Sequence, residues 1–311
     1  MKNILVTGAF GQIGPELVPA LQQKYGIKHV IAAGFQAIPS TFKGKSLILD
    51  VTAMDKLESI VKENSITEIY HMASIRTTDG EKNPDLAWEI NINGLKNILN
   101  VARDHQIKVF WPSSIAGFGI TTPRDLTPQH TVQEPTTIYG ITKKTGEILC
   151  NYYFHRYGVD VRSIRYSSII SWIHPPGNGT SDFVEGMFYG AVQQGAYECF
   201  VSPETRIPMM YIKDVIRATM MLMEQPPGNI TIRTSYNIAA LDASASELAS
   251  AIQKRTPLSI TYKPDSRDLI AKSWPNSLDD HRARRDWGWT PEYDLKKMTK
   301  EIVENLQRKF K

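Results

Sequence analysis

Short apolar runs rich in β-branched residues alternate with stretches of helical period, and this alternation constrains the fold more than any other feature of the chain. The runs are "NILVTG", "HVIAAG", "SLILDV", "EIYHMA", "KVFWPSS" and "VRSIRYSSII"; the separators include "GPELVPALQQKYG", "AMDKLESIVKENS" and "LAWEININGLKNILNVARDHQ". Strands that alternate with helices pair in parallel, and the crossover helices cover both sheet faces. The expected fold is therefore α/β, a doubly wound parallel sheet. From about Ile173 the pattern changes: "HPPGNGTSD" reads as an irregular loop before the helical "FVEGMFYGAVQQG". A smaller lobe is expected from there, interleaved with the first. The first domain should hold residues 1–172 with returns near 208–219 and 234–240, and the second residues 173–207 and 241–311.

With 311 residues, 41% of them hydrophobic and 22% charged, the chain can bury a substantial core. The formal charge of +4, from 36 basic and 32 acidic residues, falls short of a basic nucleic-acid-binding face. The densest basic patch, "HRARRDWGW", has Asp279 and Asp280 beside it and Asp286 inside it, so it reads as a solvated, ion-paired helix. No stretch approaches the roughly 20 apolar residues of a membrane span, so a soluble, cytoplasmic protein is expected, with neither membrane nor nucleic acid as partner. Cys150 and Cys199 lack metal-ligand neighbours and read as buried free thiols; no metal is expected.

The first strand runs into "VTGAFGQIG", with Gly8, Gly11 and Gly14 and a helix opening at about Gln12. Glycine permits the tight turn and lets a pyrophosphate approach the amides at the helix N-terminus. Such spacing arises by chance in a chain with 20 glycines, as a structural turn. Its place after the first strand and before the first helix points instead to dinucleotide binding, which makes the first domain Rossmann-type. The Thr-Gly-x-x-Gly-x-x-Gly order resembles the extended short-chain dehydrogenase/reductases.

"IYGITKKTGE" places Tyr139 and Lys143 one helical turn apart. The same spacing recurs at Tyr293 and Lys297, so context must decide. Tyr139 follows the strand end "FWPSSIAGFG", which offers Ser113 and Ser114 at the carboxyl edge of the sheet; Tyr293 has no comparable neighbour. A tyrosine of pKa ~10 must lose about three units, roughly 4 kcal/mol, to act as a base near neutrality. An ammonium roughly 4 Å away supplies about that much at an effective dielectric of about 20. Lys143 can also reach a nicotinamide ribose, and a serine can hold the substrate oxygen. The family's serine position, five residues before the glycine of "GFG", selects Ser114.

The second half resembles the short-chain-type L-threonine 3-dehydrogenases more closely, through "GEKNP", "WPSSIAGFG", "DVRSIRY", "GNGTSDF", "YECF", "RIPMMYIKDVIRAT", "SYNIAA" and "SWPNSLDD" followed by "ARRDWGW". That resemblance implies oxidation of the C3 hydroxyl of L-threonine, or of a close β-hydroxy amino acid, to the 2-amino-3-oxo acid with NAD. Catalysis would fall to Ser114, Tyr139 and Lys143. Cofactor contacts would come from Gly8, Gly11, Gln12, Ile13, Gly14, Gly34, Asp50, Val51, Ala73, Asn91, Tyr139, Lys143 and Ile169. Substrate contacts would come from Ser74, Thr77, Ser114, Tyr139, Gly179, Thr180, Ser181 and Asp182. Asp182 suits an ammonium, although it could equally be the N-cap of the following helix.

The chain departs from this pattern at four places. Gly34 stands where an acid normally holds the adenosine ribose, so discrimination against NADP should be weak, with NAD still favoured through Asp50 and Val51. "ASIRTTDGEKNP" brings Arg76 and Thr77 towards the pocket. Arg76 could pair with a carboxylate or phosphate, but a surface position is favoured, since a cation beside a substrate ammonium would repel it. Ser167 and Ser168 replace Pro-Gly, and Ser181 and Phe183 vary the "TTDY" pattern. Two other functions fit the fold: a nucleotide-sugar epimerase or dehydratase that recycles its NAD, and a non-catalytic dinucleotide sensor, against which the retained Ser114, Tyr139 and Lys143 count. A homodimer is expected through the helices near residues 86–105 and 139–157, whose apolar content includes Leu95, Ile98, Leu149, Tyr152 and Tyr153.

Overall fold

A computed structural model describes residues 2–35, 38–177 and 179–311. The chain divides into two compact units: Met1–Gly117 with Thr136–Arg165 and Ile216–Tyr236, and Phe118–Pro135 with Tyr166–Val215 and Asn237–Lys311. In chain order the strands are β1 (Ile4–Thr7), β2 (Val30–Gly34), β3 (Lys45–Ile48), β4 (Glu68–His71), β5 (Lys108–Ser114), β6 (Val161–Tyr166), β7 (Ser168–Ile170), β8 (Ala196–Cys199), β9 (Arg206–Tyr211), β10 (Tyr236–Asn237), β11 (Leu241–Ser244) and β12 (Ser259–Tyr262). Helices that bear on the site are α1 (Gly14–Tyr25), α2 (Met54–Glu63), α3 (Thr77–Lys82), α4 (Pro84–Trp88), α5 (Gly94–His105), α6 (Ile138–Tyr157) and α7 (Phe183–Gln193).

The first unit is built on a seven-stranded sheet of order β10-β6-β5-β4-β1-β2-β3. Its β1–β2, β1–β4, β2–β3 and β4–β5 pairs are parallel, the Rossmann-like arrangement expected. The central β1 is buried along its whole length, which is why it reads as a continuous apolar run rather than an alternating one. One face of the sheet packs through Leu5, Ile31, Ile69, Val109 and Trp111 against Leu57 and Val61 of α2, Leu95 and Ile98 of α5, and Cys150 and Tyr153 of α6.

The expected elements shift at several points. Helix α1 opens at Gly14, with Pro15 in its first turn, rather than near Gln12. The stretch expected as one helix over residues 86–106 is interrupted by a π-turn at Glu89–Asn93. The run "VRSIRYSSII" divides: β6 stays in the large sheet, whereas β7 pairs with β9 in the second unit's three-stranded sheet, β11-β9-β7. The return expected near 208–219 is shared, because β9 belongs to the second unit while the chain re-enters the first at Ile216. Residues 118–135 also join the second unit, through backbone bonds such as Thr127 N to Ser277 O at 3.0 Å.

Both cysteines are buried free thiols. The basic patch meets its acids, Arg284 forming an ion pair with Asp280 at 2.7 Å and the His281 ring hydrogen bonded to Asp279 at 2.8 Å. Of the residues expected to carry a dimer face, Leu95, Ile98 and Tyr153 lie in the core and Leu149 packs against it. Tyr152 faces outwards, joined by the exposed Leu86, Trp88, Ile141, Ile148 and Tyr157.

Helix α6 runs across β5 with Gly146 at the contact: a Cβ there would stand 2.4 Å from the Trp111 indole. One residue on, the buried Glu147 receives Arg165 of β6 bidentately at 2.8 and 2.7 Å and the Ser113 hydroxyl at 2.5 Å. Replacing one member of such a pair strands a charge in a medium that solvates it poorly. Arg165→Met should therefore cost about 3–5 kcal/mol in urea unfolding, and the Glu147→Leu/Arg165→Met double variant should recover most of that loss.

Candidate active site

In the loop between β1 and α1, Gly8 has φ +64°, and a Cβ on it would fall 2.5 Å from the amide of Ala73 at the end of β4. A Cβ at Gly14 would fall 2.0 Å from the Ala9 carbonyl oxygen. Both positions exclude side chains, so the loop lies tight against the β4 terminus with backbone amides at the mouth of α1. This is a cradle of the kind that holds a dinucleotide diphosphate. Asp50 and Val51 follow β3; Asp50 Oδ1 accepts from the Thr52 amide at 2.9 Å and its hydroxyl at 2.8 Å. The Asn97 side chain of α5 braces that turn by donating to the Val51 and Thr52 carbonyls at 3.2 and 3.0 Å. Nothing in sequence spacing had pointed to Asn97.

Gly34 ends β2 without a positive φ, but a Cβ on it would lie 2.6 Å from the Phe10 ring, which meets Phe42 edge-on at 5.3 Å between centroids. The place usual for an acid is filled by an aromatic side chain. A carboxylate at Gly34 would have to displace that ring.

Ser114 closes β5, and Tyr139 is the second residue of α6, after Thr137, whose side chain caps the helix by accepting from the Gly140 amide at 3.1 Å. The Ser114 hydroxyl favours the ionised form of the Tyr139 phenol. Ser113, the alternative serine, is spent on Glu147. Lys143 lies buried one turn along α6, its Nζ donating to the Pro112 carbonyl at 2.8 Å and standing 5.3 Å from the Tyr139 ring centroid. The expected depression of the tyrosine is reversed. Burial holds the Tyr139 phenol above its ordinary value, and the Ser114 hydroxyl and the Arg76 charge offset only part of that. Burial also pushes Lys143 down to about 7. The second Tyr-x-x-x-Lys pair is of another kind: Lys297 sits 4.1 Å over the Tyr293 ring, and Tyr293 donates to Glu301 at 2.8 Å in the second unit.

Asn91, at the π-turn where helical irregularity often marks a working residue, commits its whole amide to the neighbouring loop and to α6. Its Oδ1 accepts from Ile75 N at 2.8 Å and Ser74 Oγ at 3.2 Å, and its Nδ2 donates to Ile75 O at 3.0 Å and Thr142 Oγ1 at 3.1 Å. Arg76 follows, exposed, donating to Gln12 Oε1 of the glycine loop at 3.2 Å, and Thr77 opens α3.

The remaining expected residues lie in the second unit. Ile169 is part of β7, and the Ser167 and Ser168 hydroxyls are buried with no hydrogen-bond partner among the described residues. Thr180 is buried; Ser181 and Asp182 lead into α7. Asp182 occupies the N-cap position, yet its carboxylate caps no helix amide. It accepts instead from the Gly177 and Gly179 amides at 2.8 and 2.9 Å.

Lys143 sets a pH dependence of stability. Its folded value of about 7 lies below the ordinary 10.5, so between those values the unfolded chain binds the extra proton. Stability from this group therefore rises with pH across that window and is lost as pH falls towards 7. Urea midpoints at pH 7, 8.5 and 10 should rise for the wild type relative to Lys143→Met.

Residues 4–239 match the NAD dependent epimerase/dehydratase family. An uncharacterized epimerase/dehydratase of Staphylococcus aureus (strain USA300) is 41% identical over 314 residues, covering 99% of this chain and 98% of its own. Among solved structures, a monomeric L-threonine 3-dehydrogenase from a metagenome has a TM-score of 0.96 at 46% identity, covering 99% of this chain and 100% of that one. The GalE-like L-threonine dehydrogenase from Cupriavidus necator, in its holo form, has a TM-score of 0.96 at 44% identity, covering 98% and 99%. The chain belongs to the NAD dependent epimerase/dehydratase family.

Proposed function

We propose that this protein is an oxidoreductase that removes hydrogen from the C3 hydroxyl of L-threonine, or of a close β-hydroxy amino acid. The observation that carries the reading is Lys143, buried one turn along α6 from Tyr139 with its Nζ 5.3 Å from the Tyr139 ring centroid and anchored on the Pro112 carbonyl, two residues before Ser114. The strong likeness to L-threonine dehydrogenases names the substrate. NAD, when bound, supplies the hydride acceptor. Gly8, Gly11, Gln12, Ile13 and Gly14 would hold its diphosphate, with Asp50, Val51 and Ala73 on the adenosine side. Ser114 donates to the substrate oxygen, and the Tyr139 phenolate takes the hydroxyl proton. Lys143 favours that phenolate and reaches the ribose. Asn91 acts by fixing Ser74 and Ile75. In the second unit, the chemistry of Thr180, Ser181 and the Asp182 carboxylate suits an amino acid's polar groups.

Mixing purified protein with NAD and L-threonine should give net NADH absorbance; a cofactor-recycling epimerase would give none. Tyr139→Phe should lower kcat by about 10²–10⁴-fold, the usual worth of a general base, with the NAD dissociation constant changed less than about twofold. Because burial raises the phenol, wild-type kcat/KM should climb as pH rises above neutrality.

A cytoplasmic setting suits two free buried thiols. The exposed Ile141, Ile148 and Tyr152 lie on one stripe of α6, beside Leu86 and Trp88 of α4, and this stripe supports a homodimer. The metagenome relative is described as monomeric, so the state must be measured. Light scattering should give twice 35.1 kDa for the wild type and the single mass for Ile148→Glu.

A further inference from the structure

Arg76 is the site residue that the reading above leaves without a task. The segment that carries it is fastened at both ends. Upstream, Asn91 clamps Ser74 and Ile75. Downstream, Glu81 Oε1 accepts from the Ile138 amide at 2.8 Å, and Gly80 lies so near Ile138 that a Cβ would stand 3.1 Å from its Cγ2. Ile138 immediately precedes Tyr139, so the Arg76 backbone is fixed relative to the catalytic helix.

The guanidinium itself is barely used. Other arginines of this unit sit against carboxylates: Arg162 and Arg233 on Asp160, and Arg165 on Glu147. Arg76 has no carboxylate partner among the described residues, and its side chain donates only to the neutral amide oxygen of Gln12. Its charge is nevertheless felt at the Tyr139 phenol. A fork of five donors with one in use, on a segment fastened to the start of α6, suits a planar anion.

We propose that Arg76 anchors the substrate's carboxylate, so that the enzyme reads its substrate as a β-hydroxy acid through the anion rather than through the amine. In such a molecule the carboxyl carbon is two bonds from the carbon bearing the hydroxyl, so one end can meet Tyr139 while the other meets Arg76. This rests on the dehydrogenase reading above and deepens it. A guanidinium at this end repels an ammonium, so the amine adds little to binding there.

The test pairs charge removal on the protein with charge removal on the substrate. In Arg76→Gln, kcat/KM for L-threonine should fall about thirtyfold, the worth of a charge-assisted hydrogen bond, while kcat/KM for L-threonine amide changes less than about twofold. Arg76→Lys should restore part of the loss, and NAD affinity should be unaffected. An equal fall for both substrates, or weakened NAD binding that points to the cofactor's diphosphate, overturns the proposal. A second arm needs no turnover: acetoacetate titrated onto the protein–NADH complex, followed by NADH fluorescence. It should bind the wild type at least about tenfold more tightly than Arg76→Gln. Equal binding, or none to the wild type, refutes the anion site. A wild type that binds acetoacetate through Arg76 but oxidises no hydroxy amino acid would overturn the threonine reading and leave the anion site standing.

Discussion

The contact between Gly146 and Trp111 determines where every group on α6 stands. With no side chain between them, the helix lies directly on β5, and the residues one and two turns upstream, Lys143 and Tyr139, come to the carboxyl end of that strand. The same stripe continues through Glu147, whose carboxylate binds Arg165 and Ser113, to the buried Cys150. Lys143 is held from below by the Pro112 carbonyl and the Trp111 ring, 4.9 Å away. The face of the helix that carries Tyr139 and Lys143 and the face that packs on β5 are thus one face, divided along its length rather than around its circumference.

That arrangement explains what could be read from the residues. The strands of the large sheet were legible because burial on both faces leaves unbroken apolar runs, as in "ILVT". The split between β6 and β7 was not, since the apolar, β-branched composition continues across Ser167 while the partner strand changes. Residues 118–135 carry no local sign of their unit. Their allegiance comes from distant partners, such as Arg124 with Asn276 at 2.8 Å. The π-turn at Glu89–Asn93 was likewise hidden, because its sequence continues a helical period on either side.

In the site, glycine spacing and the Tyr-x-x-x-Lys pair were legible because a close backbone approach and a single helical turn translate directly into residue type and number. The bracing was not. Asn97, Thr142 and Glu147 act across 46, 51 and 18 residues of separation, and asparagine, threonine and glutamate are common on any helix. The electrostatics failed for a related reason. Counting Lys143 near Tyr139 supplied the attraction but omitted desolvation, which acts on both groups at once: it raises the phenol and lowers the ammonium. A buried acid and a buried base of this kind each resist ionising alone. A positive charge from outside the pair, such as Arg76, therefore matters more than helix spacing suggests.

The missing acid at Gly34 shows how far a single departure can be understood once its neighbours are known. Read alone, glycine there is a loss: no acceptor for ribose hydroxyls and no charge to repel a phosphate. In the fold it is one half of an exchange, because Phe10 of the glycine loop lies over it and meets Phe42 edge-on. An aromatic face offers dispersion to a ribose or adenine without distinguishing a hydroxyl from a phosphate by charge. An aspartate introduced at Gly34 alone would meet the ring 2.6 Å from its Cβ and expel it from the cradle loop itself. The acid and the small neighbour it needs form one unit of specificity, and the aromatic ring with its glycine forms another. A side chain at position 34 therefore has to be introduced together with a smaller residue at position 10.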